Sequence, residues 1–159
     1  MVYHKTKKGG GKMKELVGLF LVVFVLSLQV RAAFEPKTTH ARAVGLGNAF
    51  VAYPGDVGGI FINPAGLANL GQISASVFYT RLFGLPEFAL WSDAFTLPAF
   101  RGTLGGGIES YGFDLYRENI FCLTFARTCY GKLRVGINAK ILSLEIRNYG
   151  SDQTFALDV

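Results

Sequence analysis

Residues 132–141, KLRVGINAKI, decide the fold class of this chain because polar and apolar residues alternate along them. One face of the extended segment is apolar and comprises Leu133, Val135, Ile137, Ala139 and Ile141. The opposite face comprises Arg134, Gly136, Asn138 and Lys140. Alternation with a period of two predicts a β-strand, and an apolar face opposite a polar face is typical of a barrel wall between lipid and lumen. The parity of the apolar residues reverses from Leu142 onward, so we expect a bulge or a change of environment there.

Similar aromatic and β-branched segments surround this stretch and are separated by Gly, Pro, Asn and Asp, which predicts an all-β, antiparallel fold. We predict strands at 73–83, 88–97, 103–111, 119–130 and 132–147, and a sixth strand from Thr154. Strands of this length exceed the usual five or six residues of soluble sheets and suit tilted strands that cross a bilayer. Aromatic residues near the segment ends, such as Tyr79, Trp91 and Tyr130, fit the girdles of such barrels.

We therefore predict an antiparallel transmembrane β-barrel, with the core of a soluble β-sandwich as the alternative. The six strands are fewer than the roughly eight of the smallest bacterial barrels. The sequence also stops within a strand, at Phe155–Val159. We expect the barrel to be incomplete and the chain to be the N-terminal part of a longer protein.

Residues 1–32 read as a signal peptide that directs export. Five lysines precede an apolar run, Leu16–Val30, and Val30-Arg31-Ala32 provides a cleavage site after Ala32. Met13 offers an alternative start. The apolar run is shorter than the roughly 20 residues of a spanning helix, so a membrane anchor is the weaker interpretation. We predict three parts: the signal peptide at 1–32, an N-terminal segment at 33–72 and strands at 73–159.

The basic character of the chain resides in this leader. The formal net charge is +5, and residues 1–32 contain six Lys or Arg against one acidic residue. Residues 33–159 contain ten residues of each sign and are formally neutral. A basic surface would indicate nucleic acid as a partner. We predict no nucleic-acid binding.

No pattern of catalytic or metal-binding residues emerges from the chain. Cys122 and Cys129 would lie about 23 Å apart in one strand, too far for a disulfide, and no further Cys or His accompanies them. Gly45-Leu46-Gly47 lacks the third glycine of a dinucleotide-binding motif, since Phe50 occupies that position. His40 stands alone, and Glu109, Asp114 and Glu118 read as loop or lumen residues. We predict no enzyme, no cofactor and no metal.

Residues 41–70 are rich in glycine and contain two prolines, which favours a compact, tightly turned main chain. We expect a short helix near 41–52 and turns at Pro54-Gly55-Asp56 and at Asn63-Pro64. Asn63 can start a turn through its side chain. Gly58, Gly59 and Gly66 would permit a close approach to the barrel wall. Such a segment, placed between a leader and long strands, suits a plug inside a barrel.

The pattern ARA-x-G-x-G-x-AFVA, followed by Asp56 and then by NPAGLA at 63–68, resembles the N-terminus of the FadL-type outer-membrane transporter superfamily, in particular its PorV- and PorQ-like proteins. The resemblance implies a monomeric outer-membrane barrel whose N-terminal segment folds into the lumen as a hatch. It places Asn63, Pro64, Ala65, Gly66 and Leu67 in the hatch turn, and Gly45, Gly47 and Asp56 in the hatch backbone.

The resemblance and the strand pattern together predict passive transport of hydrophobic or small solutes across the cell outer membrane. Outer-membrane lipid and a hydrophobic small molecule are the expected partners. Two alternatives stay open. One is a PorV-like barrel that assists secretion or surface attachment through a secretion-machinery partner, and the other is a secreted soluble β-sandwich that binds a partner.

Overall fold

A computed structural model describes residues 33–159, which form one compact unit. The predicted signal peptide, residues 1–32, lies outside the described residues. The N-terminal segment, residues 33–72, contains two short α-helices and a 3₁₀-helix: α1 (Ala41–Gly45), α2 (Gly59–Ile62) and Pro64–Asn69. Among the described residues no helix is long and apolar enough to cross a bilayer.

The rest of the described chain is one antiparallel sheet of six strands in sequential order. The strands are β1 (Ser74–Arg81), β2 (Ala89–Ala99), β3 (Gly102–Phe113), β4 (Tyr116–Thr128), β5 (Arg134–Ile146) and β6 (Gly150–Asp158). Two short 3₁₀-helices, Leu82–Gly84 and Pro86–Phe88, connect β1 to β2. The all-β, antiparallel prediction is confirmed, and the sheet is not closed into a barrel.

Five predicted strands are confirmed to within three residues at each end. The predicted start of the sixth strand at Thr154 is wrong, because β6 begins at Gly150. A tight turn with Asn148 at φ 68° and Gly150 at φ 120° lets the chain reverse at once. The predicted helix at 41–52 is also too long, since α1 ends at Gly45 and the left-handed residues Gly47 and Asn48 follow it.

The two faces of the sheet differ in chemistry. One face packs against the N-terminal segment, and we call it the covered face. Its buried members are largely small or polar and include Ser92, Thr96, Thr103, Thr124 and Asn138. The other face, the bare face, carries exposed large apolar side chains, among them Phe95, Phe121, Leu123, Ile137 and Ile141. The alternation predicted for residues 133–141 is confirmed by this division.

The reversal of apolar parity at Leu142 reflects a change of environment. The pairing of β5 with β4 and with β6 continues residue for residue through Leu142, so the alternative of a bulge is wrong. Leu142 lies on the covered face, where it lines a cavity together with Phe34 and Phe61 of the N-terminal segment. Apolar side chains therefore occupy the covered face where apolar residues of that segment lie opposite.

The main apolar core of the described residues lies between the N-terminal segment and the covered face. Its buried members in the N-terminal segment are Val57, Ile60, Leu67 and Leu70, and those in the sheet are Ala94, Cys122 and Ala126. The sheet contributes small side chains and the N-terminal segment contributes large ones. This division lets compact turns pack directly on the strands.

Candidate functional site

The turn at Asn63-Pro64 is stabilised by the side chain of Asn63. Its Oδ1 accepts a hydrogen bond from the Ala65 amide at 3.1 Å, and its Nδ2 donates to the Val51 carbonyl at 2.8 Å. Asn63 thus caps the 3₁₀-helix that follows, and Pro64 occupies the first helical position, where its missing N–H leaves no bond unmade. The expectation that Asn63 starts a turn is confirmed.

The remaining residues of the predicted hatch turn connect this helix to the core. Leu67 is fully buried in the core, and Gly66 donates from its amide to the Asn63 carbonyl at 3.1 Å. The Gly66 carbonyl accepts from the amide of Gly55 at 2.8 Å. A Cβ on Gly66 would lie 3.1 Å from the carbonyl oxygen of Tyr53. Gly66 therefore permits close packing within the N-terminal segment, and the prediction that it permits a close approach to the sheet is wrong.

Asp56 is the polar centre of the N-terminal segment. One carboxylate oxygen, Oδ1, accepts from the Gly58 amide at 2.9 Å and lies 3.0 Å from His40 Nε2, while Oδ2 pairs with Arg42. His40 Nδ1 in turn accepts from the Arg42 amide at 3.3 Å and caps α1. Asp56 therefore connects α1 to the turn before α2, and the expectation that His40 stands alone is wrong.

The glycines of the N-terminal segment have several distinct roles. A Cβ on Gly58 would collide with the His40 ring, and a Cβ on Gly59 would touch Leu67, so both glycines permit close packing within the N-terminal segment. A Cβ on Gly45 would meet no atom of the described residues within 4 Å. Gly47 has φ 59°, which a side chain disfavours, and it lies in the turn after α1.

Close approach to the sheet depends instead on glycines of the strands. A Cβ on Gly136 in β5 would lie 2.9 Å from the Cα of Ala65. A Cβ on Gly105 or Gly107 in β3 would lie 3.0 Å from a side-chain carbon of Ile60. Glycine inside a strand often marks the approach of another backbone, so the sequence did carry this signal.

Asn138 forms the polar contact at the centre of this interface. Its Nδ2 donates to the Ile60 carbonyl at 2.8 Å, and its Oδ1 accepts from the hydroxyl of Thr124. Both strand side chains are fully buried. Ile60 lies in the four-residue helix α2, and Pro64, four positions further on, has no N–H to donate to its carbonyl. The bond from Asn138 therefore satisfies a buried backbone group that the helix leaves unpaired. Sequence analysis placed Asn138 on the polar face without assigning it a partner.

The first residues of the N-terminal segment are held by a second contact, at Glu118 of β4. The Glu118 carboxylate accepts from the Phe34 amide at 3.2 Å, from Lys37 Nζ at 2.6 Å and from the Tyr116 hydroxyl. The Lys37 ammonium also lies 4.1 Å from the centre of the Tyr111 ring. The side chains of Lys37 and Glu118 are 13% and 6% exposed, so this ion pair is largely shielded from solvent.

A cavity of about 490 Å³ separates these two contacts. Its apolar lining includes Phe34, Phe61, Ile120 and Leu142, and its charged lining comprises Glu35, Lys37, Glu109, Lys140 and Asp158. A concave space with apolar walls and a few polar groups is the usual form of a small-molecule site. Glu109 and Glu118 lie on the covered face, whereas Asp114 lies in an exposed turn and pairs with Arg117.

Other candidate residues are not assembled into a reactive site. Within residues 33–159, no group of three or more His, Cys, Asp or Glu side chains could hold a metal ion. Cys122 is buried, Cys129 is partly exposed, and both are free thiols, so the prediction that they do not pair is confirmed. Comparisons with protein-family models, with curated proteins and with solved structures found no match to this chain.

Proposed function

We propose that this chain forms part of the wall of an outer-membrane β-barrel, that the N-terminal segment serves as its luminal hatch, and that the barrel passes hydrophobic or small solutes. The observation that carries the proposal is the bare face. Val77, Leu123, Ile137 and Phe155, on four different strands, expose between 48% and 81% of their surface. An apolar face of this extent is costly in water and suits contact with lipid.

The order of residues across the bare face supports lipid contact. The central cross-strand row is Phe95, Gly106, Leu123, Ala139 and Leu157. Two rows away, the pairing brings together Tyr79, Trp91, Ser110, Asn119, Ser143 and Gln153. Aromatic and polar residues are favoured at the boundary between the hydrocarbon and the headgroups. The row between these two rows comprises Val77, Asp93, Ile108, Phe121, Ile141 and Phe155, and it is apolar except for Asp93. A largely apolar band bordered by an aromatic and polar row suits a barrel wall.

The covered face supports the assignment of a lumen. Three of its polar side chains donate to carbonyls of the N-terminal segment: Asn138 to Ile60, Thr103 to Leu70 at 3.2 Å, and Ser92 to Thr39 at 2.7 Å. A hatch inside a lumen needs such partners because its turns carry backbone groups that a regular helix or sheet would pair. The resemblance to FadL-type proteins points to the same arrangement.

The single tryptophan of the chain, Trp91, offers a direct test of lipid contact. The protein would be reconstituted together with the further strands that close the barrel, and with Trp91 as its single tryptophan, into vesicles that contain lipids brominated either near the carbonyl end or near the methyl end of the acyl chain. We expect stronger quenching of Trp91 by the first lipid. A Trp91→Phe, Phe95→Trp double variant moves the reporter two rows towards the centre of the band and should reverse the preference.

Each outcome of this test separates the candidate classes. Quenching of both reporters by aqueous iodide, without quenching by either lipid, would contradict the wall and favour a soluble β-sandwich. If the wall is confirmed, solute entry into the same vesicles distinguishes transport from a secretion or attachment role. Entry of small solutes that increases with the amount of reconstituted protein supports transport, and vesicles that stay sealed would overturn it.

A further inference from the structure

The cavity between the N-terminal segment and the covered face has an uneven charge arrangement. Its lining contains three carboxylates, those of Glu35, Glu109 and Asp158, and two ammonium groups, those of Lys37 and Lys140. Lys140 pairs with Asp158, and Lys37 pairs with Glu118 of the covered face. Both cations are therefore already engaged by carboxylates other than Glu109.

Glu109 is the exceptional member of this lining. Glu109 is only 7% exposed, and its carboxylate forms no ion pair and no hydrogen bond with the other described residues, although its oxygens still reach the cavity. It lies at the floor of the cavity, on the cross-strand row that continues through Ile120 and Leu142. A largely buried carboxylate without a partner is unfavourable, and a ligand cation beside it would relieve this cost.

The apolar side of the cavity completes the recognition pattern. Phe34 and Phe61 face the floor from the N-terminal segment, and Ile120 and Leu142 face it from β4 and β5. An alkyl or aromatic body fits these walls, because transfer of apolar surface out of water stabilises a complex. An unpaired carboxylate beside apolar walls therefore favours a ligand that has a positively charged group attached to an apolar group.

We propose that this cavity binds an organic cation, an amine or quaternary ammonium compound with a small apolar body, whose charged head pairs with Glu109. An organic anion is disfavoured because it would meet Glu109 while both lysines are already paired. The inference deepens the proposed function by naming the solute class, and it rests on that function only for the passage of the solute through the barrel. Binding itself requires the cavity alone.

The test compares three probes of similar size on the full chain in nonionic detergent: hexyltrimethylammonium, hexanoate and 1-hexanol. Isothermal titration measures their affinities for the unmodified chain, for Glu109→Gln and for Glu35→Gln. Glu35→Gln is the matched control because it makes the same change at an exposed residue of the same cavity. We expect the cation to bind most tightly to the unmodified chain.

Glu109→Gln should weaken the binding of hexyltrimethylammonium about tenfold or more, which is equivalent to about 1.4 kcal/mol. The affinity for 1-hexanol should change by less than about twofold. Glu35→Gln should weaken the binding of hexyltrimethylammonium by less than about threefold, because solvent screens the exposed charge of Glu35. Unchanged hexanol affinity establishes that the cavity of the Glu109 variant is intact. Failure of the cation to bind, tighter binding of hexanoate, or equal losses in the two variants would each overturn the proposal.

This outcome is distinguishable from failure of the proposed function. If cation binding depends on Glu109 but brominated lipid does not quench Trp91, the binding site is supported and the barrel is contradicted. If brominated lipid quenches Trp91 but the cation does not bind, the barrel is supported and the binding site is contradicted.

Discussion

Asn138 in the middle of β5 donates a hydrogen bond from Nδ2 to the main-chain carbonyl of Ile60 in α2, at a distance of 2.8 Å. The two residues are 78 positions apart in the chain and both are buried. The bond joins the sheet to the N-terminal segment at the centre of their interface. Since the Thr124 hydroxyl donates to Oδ1 of the same amide, the neighbouring strand β4 also fixes the orientation of the Asn138 side chain.

Replacement of Asn138 by Leu should lower the free energy of unfolding by about 2–3 kcal/mol, because it leaves the Ile60 carbonyl and the Thr124 hydroxyl buried without partners. Denaturant unfolding of the full chain measures the change. Asn119→Leu is the matched control, since Asn119 lies on the bare face of the neighbouring strand β4. Equal effects of the two substitutions would show that the contact with Ile60 contributes nothing.

Gly136 and Gly106 allow a comparison of the two faces of the sheet. A Cβ at position 136 would lie 2.5 Å from the carbonyl carbon of Pro64, whereas a Cβ at position 106 would lie 3.8 Å from its nearest neighbour, the Cys122 carbonyl oxygen. We expect Gly136→Ala to destabilise by about 1–3 kcal/mol through displacement of the 3₁₀-helix. Gly106→Ala should be neutral or slightly stabilising, because glycine weakens a strand interior.

Thermal unfolding measures the stability of the glycine variants, and protease digestion measures how easily the N-terminal segment opens. Gly136→Ala should lower the midpoint temperature of unfolding and increase cleavage between residues 33 and 72. A Gly106→Ala variant that shows the same losses would place the cause in the strands themselves and contradict the packing of Gly136 against Pro64.

The cap formed by Asn63 should be measurable in isolation from the sheet. Asn63→Ala removes the bonds to the Ala65 amide and to the Val51 carbonyl, and we expect a loss of about 1 kcal/mol. Asn69→Ala at the other end of the same 3₁₀-helix is the control, since Asn69 is exposed and the bond that its side chain accepts from the Thr128 hydroxyl at 3.0 Å is open to solvent. Its loss should be smaller, and the two variants are compared by denaturant unfolding. If the Asn63 variant is as stable as the unmodified chain, the cap does not stabilise the turn.

Glu118 should govern how tightly the first residues of the N-terminal segment are held. Glu118→Gln removes the charge that pairs with Lys37, and we expect trypsin to cleave after Lys37 about tenfold faster because local opening becomes easier. Glu145→Gln is the control, since Glu145 is exposed on the bare face. Equal cleavage rates in the Glu118 variant and the unmodified chain would show that other contacts hold the segment.

Leu123 distinguishes a lipid-facing sheet from a soluble one. An Arg that replaces a lipid-facing residue at the centre of a barrel wall lowers the free energy of unfolding by about 2–4 kcal/mol. The same change at an exposed site in water alters it by less than about 0.5 kcal/mol. We therefore expect Leu123→Arg to reduce the folded fraction in vesicles, measured by heat-modifiable migration. Gln153→Arg, on the polar row of the same face, should have little effect.

The sequence alone was sufficient to predict the strands, because their signals are local. Alternation at 133–141 placed Ile137 and Asn138 on opposite faces, and the structure confirms it. Breaks at Gly, Pro, Asn and Asp located the turns, apart from the turn before β6. There the conformations of Asn148 and Gly150 allow a shorter reversal than the composition of the loop suggests.

The partners of these residues could not be predicted, because they depend on which segments meet after folding. Gly105, Gly107 and Gly136 were visible as glycines within strands, but only the tertiary structure places Ile60 and Ala65 against them. His40 and Asp56 are 16 positions apart, and the turns between them bring the imidazole to the carboxylate. The buried state of Glu109 likewise follows from the N-terminal segment that covers it.

Residue order by itself determined the class of this protein: an all-β chain with an apolar face, a polar face and a glycine-rich segment before the first strand. These properties follow from periodicity and backbone preference, which act between neighbouring residues. The tertiary structure decided which face the N-terminal segment covers, where a cavity is left and which carboxylate lies without a partner inside it. Those properties arise from packing between residues distant in sequence, and no local pattern encodes the distances.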